Sequence, residues 1–129
     1  MDDDAYQRYV NINLPHARTV AARIGRSLEA LGAFGEAGNG GAVGLVEAFE
    51  AVELSLRDFD EDPPMDDALR AADALAQHSR ALVEAIASSP VRSDRLGQHV
   101  RNLFECLGLG AEGRELSLLC GERADSPLR

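Results

Sequence analysis

Asp66 to Ser88 reads DDALRAADALAQHSRALVEAIAS, and this stretch decides the fold. Met65, Ala68/Leu69, Ala72, Leu75/Ala76, Ser79, Leu82/Val83 and Ile86 recur at alternating three- and four-residue steps, which places them on one stripe of a helix. Arg70, Asp73, Gln77, Arg80 and Glu84 repeat on another side, with opposite charges one turn apart that suit a solvated surface. A third line, Ala71, Ala74, His78, Ala81 and Ala85, consists of small residues and one histidine, and would let a second helix come close. If the helix is peripheral, that line is a surface for self-association in a homodimer. Asp66 is placed to cap the first turn, Asp67 sits at the positive end of the helix dipole, and Pro90 marks the stop. Burying the larger side chains of the stripe contributes roughly 1.5–3 kcal/mol each before chain entropy is set against it, so the helix requires partners.

Those partners are legible on both sides. Upstream, Ala42, Leu45/Val46, Phe49, Val52, Leu56 and Phe59 form the stripe of a helix over about 42–59, ended by the DEDPP loop. Before it, Gly35-Glu-Ala-Gly-Asn-Gly-Gly41 is too glycine-rich for a helix and reads as a turn; it lacks the GxxxxGK[ST] spacing of a phosphate cradle. Earlier still, Ala17, Val20/Ala21, Ile24, Leu28 and Leu31 predict a helix over about 14–31. Asn13 is its cap and Pro15 lies in the first turn, where a missing N–H costs little; one longer helix kinked at Pro15 is the competing reading. Downstream, Ser93 caps a helix over about 94–107 with Leu96, Val100, Leu103, Phe104 and Leu107 inside. A short opening helix over 2–12 and a short closing one from about Glu112, docking Leu116, Leu119 and Cys120, complete the pattern, with a frayed tail from about 122. The fold predicted is all-α, an antiparallel bundle of four principal amphipathic helices in a single domain spanning 1–129.

Composition agrees. At 129 residues, 45% hydrophobic and 27% charged, the chain is long enough for one core, and with only 5% aromatics and no Trp that core favours close-packed helices. No apolar run approaches the roughly 18–20 residues of a membrane span, and MDDDAY is acidic where a signal peptide is basic, so a cytoplasmic location without membrane contact is expected. In that setting Cys106 and Cys120 are expected to be free thiols. All 13 basic residues are arginines, a composition suggesting a GC-rich bacterial genome. The net charge of −9 argues against nucleic acid as the partner.

Charge is segregated along the chain. From Ala5 to Leu28 the charged residues are Arg8, Arg18, Arg23 and Arg26, whereas Glu47, Glu50, Glu53, Asp58, Asp60, Glu61, Asp62, Asp66 and Asp67 face only Arg57 in their stretch. In one reading the first two helices neutralise each other across a hairpin, each exposed pair contributing only ~0–1 kcal/mol. In the other, the acidic surface of Glu47, Glu50, Glu53, Asp58, Asp60, Glu61 and Asp62 receives a basic protein partner. Basic-to-acidic contact between two copies is a third possibility.

No motif commits the chain to a chemistry. Di-iron bundles need Glu-x-x-His, absent here, and His16, His78 and His99 fall on different helices, so neither metal nor cofactor is expected. Cys106 lies two helical turns from His99, too far for direct activation of a thiolate. Arg92-Ser-Asp-Arg-Leu-Gly-Gln-His99 resembles the Arg-x(4–6)-His motif of HEPN ribonucleases. That resemblance implies a dimeric helical bundle in which Arg92 holds the scissile phosphate and His99 moves protons. The same eight residues also read as a capped helix start with surface arginines. The leading expectation is a small, acidic, non-enzymatic interaction module of the antitoxin, immunity-protein, chaperone or regulatory-adaptor type. The alternatives are the ribonuclease and an Ala-rich bundle holding a small apolar ligand between its helices.

Overall fold

The computed structural model describes residues 12–32, 42–57, 65–89 and 92–121, and these contain helices and no strand. The helices are α1 (Leu14–Ala30), α2 (Ala42–Arg57), α3 (Met65–Ala87), α4 (Asp94–Cys106) and α5 (Gly110–Leu119). The chain is therefore all-α among the described residues, with element ends within two residues of those predicted. The opening segment through residue 11, the 35–41 glycine loop, the 58–64 loop and the tail from 122 lie outside the described residues, and with them Asp58, Asp60, Glu61 and Asp62.

Local chemistry sets the ends. Asn13 is the cap of α1: its Oδ1 accepts from the His16 N–H at 3.3 Å, and Pro15 occupies the first turn. Since Ile12 and Asn13 are not helical, Pro15 starts a helix here instead of kinking one. Ser93 Oγ accepts from the Leu96 N–H at 3.0 Å and opens α4. At the other end of α4, Gly108 at φ +78° donates to the Glu105 carbonyl while Leu109 N–H reaches the Phe104 carbonyl at 2.8 Å. This pair of bonds satisfies two orphaned carbonyls and turns the chain directly into α5.

The helices touch as a closed circuit: α1 with α2, α2 with α3, α3 with α5, α5 with α4, and α4 with α1. One core fills its middle, built from Val20, Ile24 and Leu28 of α1, Leu45 and Val52 of α2, Leu75, Leu82 and Ile86 of α3, and Leu96, Leu103 and Phe104 of α4. These belong to the predicted stripes; Phe59, also assigned to the α2 stripe, lies outside the described residues. Neighbours α1 and α2 run in opposite directions, because Arg18 early in α1 meets Leu56 late in α2, while Gly25 lies against the Phe49 ring. In the α4–α5 hairpin, Ser93 N–H donates to the Cys120 carbonyl at 3.1 Å, and Gly113 lies under Phe104.

Two expectations about burial require correction. Leu31, assigned to the α1 stripe, is 43% exposed, since α1 ends at Ala30 and Gly32 at φ +79° turns the chain away. Leu119, expected to dock α5, is 51% exposed, and the buried line is Gly113, Ser117 and Cys120, with Leu116 half-buried. The physical reason is proximity: a Cβ on Gly113 would lie 2.5 Å from Phe104 Cβ, a separation that leaves no room for a leucine-sized docking residue there. A hydropathy stripe points to large side chains, whereas this interface selects small ones.

Candidate functional site

The acidic face expected from the sequence is present on α2, where Glu47, Glu50 and Glu53 are all exposed. Steps of three residues rotate backwards around a helix by about 60° each, so the three carboxylates fan across the outer surface of α2. Glu47 borders a groove against α3 lined by Gly44, Leu45, Ala48, Ala81 and Ala85, and Glu53 borders one against α1 with Arg18, Leu56 and Arg57. The rest of the predicted acidic surface is beyond the described residues.

Arg18 of α1 shares a groove with Glu53 and Arg57 but forms no ion pair there among the described residues. Arg18 Nη2 donates to the Leu56 carbonyl at 2.9 Å, satisfying one of the last carbonyls of α2, and among the described residues no ion pair joins α1 to α2. The ion pairs are elsewhere. Arg70 meets Asp67 at 2.9 Å on exposed α3, and Arg80 makes a two-pronged contact with Glu112 at 2.5 and 3.0 Å, tying α3 to α5.

The line Ala71, Ala74, His78, Ala81 and Ala85 is largely used within the chain. Ala71 and Ala85 pack against the core, Ala74 and His78 are half-buried, and Ala81 is exposed beside Ala48 of α2.

Arg92 is exposed, and its charge acts on Cys120; His99 is half-buried and faces a groove between α1 and α4 whose lining does not include Arg92. Burial lowers the His99 pKa, and Arg23, Arg95 and Arg26 lower it further. The cysteines are free and buried. Burial, with the charge of Glu105, raises the Cys106 pKa, and burial pushes Cys120 up to about 12 against a partial offset from Arg92, so both stay protonated at neutral pH and neither is an activated nucleophile. Among the described residues no three His, Cys, Asp or Glu side chains converge as a metal site. No helix of the described residues is long and apolar enough to cross a membrane.

What sequence reading missed is the groove itself, about 420 Å³ in volume, lined by Arg23, Arg26, Ser27, Ser93, Arg95 and His99, with Ala30 and Leu31 at its apolar edge. A signal existed: Arg23/Arg26 at i,i+3 and Arg95/His99 at i,i+4 each share a helix face. The two pairs are separated by two intervening helices, however, and only the packing of α1 on α4 brings them together. Compared with known proteins, the chain matches no family model, no curated sequence and no solved structure.

Proposed function

We propose that the protein is a non-enzymatic interaction module that binds a basic protein partner through the outer face of α2. The observation that carries this reading is the isolation of Glu47, Glu50 and Glu53. They are exposed and in no ion pair among the described residues; of the two arginines in the groove beside Glu53, Arg18 is spent on a backbone carbonyl and Arg57 pairs with none of the three. The scaffold presenting them is an antiparallel bundle of four principal helices, α1 to α4, with α5 closing the circuit. A fan of carboxylates on a rigid helix accelerates encounter with a cationic surface and weakens as salt screens it.

The test is a capture experiment on the combined variant Glu47→Lys, Glu50→Lys and Glu53→Lys. Helical content by circular dichroism is expected to match the parent, because all three side chains are exposed. Partners that bind the parent and elute with rising salt are expected to be lost. Retention of the same partners at the same salt dependence would falsify the reading.

A further inference from the structure

The groove between α1 and α4 is of a different kind from the acidic face. Three guanidinium groups and an imidazole line one concave space in a chain of net charge −9. No carboxylate among the described residues lines it. Arg18, Arg70 and Arg80 each have a hydrogen-bond partner, but Arg23, Arg26 and Arg95 have none among the described residues. Like charges gathered this way repel one another, and the burial of His99 beside them adds to the cost. Folding alone gives no reason to assemble them.

We propose that this groove binds a phosphate dianion, held by the guanidinium groups of Arg23, Arg26 and Arg95. Planar guanidinium forks match the oxygen edges of a phosphate two at a time, and a doubly charged group compensates several cations from one point. The hydroxyls suit the same ligand. Ser93 Oγ accepts from the Leu96 N–H and so retains its own hydrogen to donate, and Ser27 lies opposite on α1. Ala30 and Leu31 offer an apolar edge for whatever carries the phosphate. His99, held below its ordinary pKa by burial first and then by these same arginines, senses occupancy: an anion among them offsets their field and raises it.

The experiment is an NMR titration of the full-length protein, following the His99 imidazole as inorganic phosphate is added at constant ionic strength. A saturable shift with a rise in the His99 pKa is expected. In the double variant Arg26→Gln/Arg95→Gln the affinity should fall at least about tenfold, the loss of one charge-assisted bond, while Arg114→Gln on α5 should match the parent. Both substituted side chains of the double variant are exposed, so its fold is expected to persist. A second arm uses ribose 5-phosphate: binding tighter than inorganic phosphate assigns the site to a phosphorylated metabolite, and equal binding assigns it to free phosphate. The proposal is overturned if phosphate gives no saturable shift, if the double variant binds as the parent does, or if a polyglutamate peptide saturates the site while phosphate does not.

Discussion

Helix α4 has two sides that obey opposite rules. Toward α5 it is closed so tightly that Gly113 admits no Cβ, and the end of α5 is bonded backbone to backbone onto Ser93. Toward α1 the seam is likewise closed at one end, where Asn13 N–H donates to the Cys106 carbonyl at 2.9 Å, but at the other end it opens into the arginine-lined groove. The closed side packs through small residues, Gly113 and Ser117. The open side carries charges that repel one another. Packing explains the first completely and the second not at all, and this is the physical ground for assigning structure to one and binding to the other.

The sharpest way to break the contrast is Gly113→Ala. Alanine is the better helix former by about 1 kcal/mol, yet its Cβ would lie 2.5 Å from Phe104 Cβ and 3.3 Å from the Arg101 carbonyl oxygen. Phe104 is fully buried and has nowhere to move. Overpacking of this kind costs about 1–3 kcal/mol, and a net loss of stability is expected in urea unfolding. A stabilised variant would show that the hairpin is looser than its geometry implies. The opposite sign is expected at Ser79, whose Oγ is buried on the core side of α3 with no hydrogen-bond partner among the described residues. Ser79→Ala removes the unsatisfied group and improves helix propensity, for a gain of about 1 kcal/mol in the same measurement.

These residues also mark how far the sequence could be read. The stripes of α1 to α4 were legible because burial follows a period that the chain spells out, and Asn13 and Ser93 were recognisable as caps from residue type and position alone. The face of α5 was not, because Gly113 and Ser117 pack by being small, and small residues leave no hydropathic trace. The acidic fan on α2 needed only one helix and was visible. The groove needed the register of α1 against α4, a relation between distant segments that no local pattern encodes.

A smaller effect tests the paired charges against the unpaired ones. Arg80 and Glu112 form a bidentate contact, but their side chains are 42% and 32% exposed. Glu112→Gln is therefore expected to cost no more than about 1 kcal/mol, shrinking further in high salt. Neutralising a groove arginine, by contrast, should not destabilise the fold, and Arg23→Gln is expected to leave stability unchanged or slightly higher.

The smallest effect is the pH dependence carried by His99. Its folded pKa lies below the ordinary 6.5, through burial first and then Arg23, Arg95 and Arg26. The unfolded chain thus binds this proton more readily than the folded one does. The contribution of His99 to stability is fully present above about pH 6.5 and is lost as pH falls through the folded pKa. Removing the arginine charges separates the two causes. In Arg23→Gln/Arg26→Gln the His99 titration followed by NMR should move upward, and the loss of stability on acidification should shrink with it. Burial persists in that variant, so the pKa should stay below 6.5. A titration that does not move would mean that Arg23 and Arg26 do not act on the histidine, leaving burial and Arg95 as the causes of its lowered pKa.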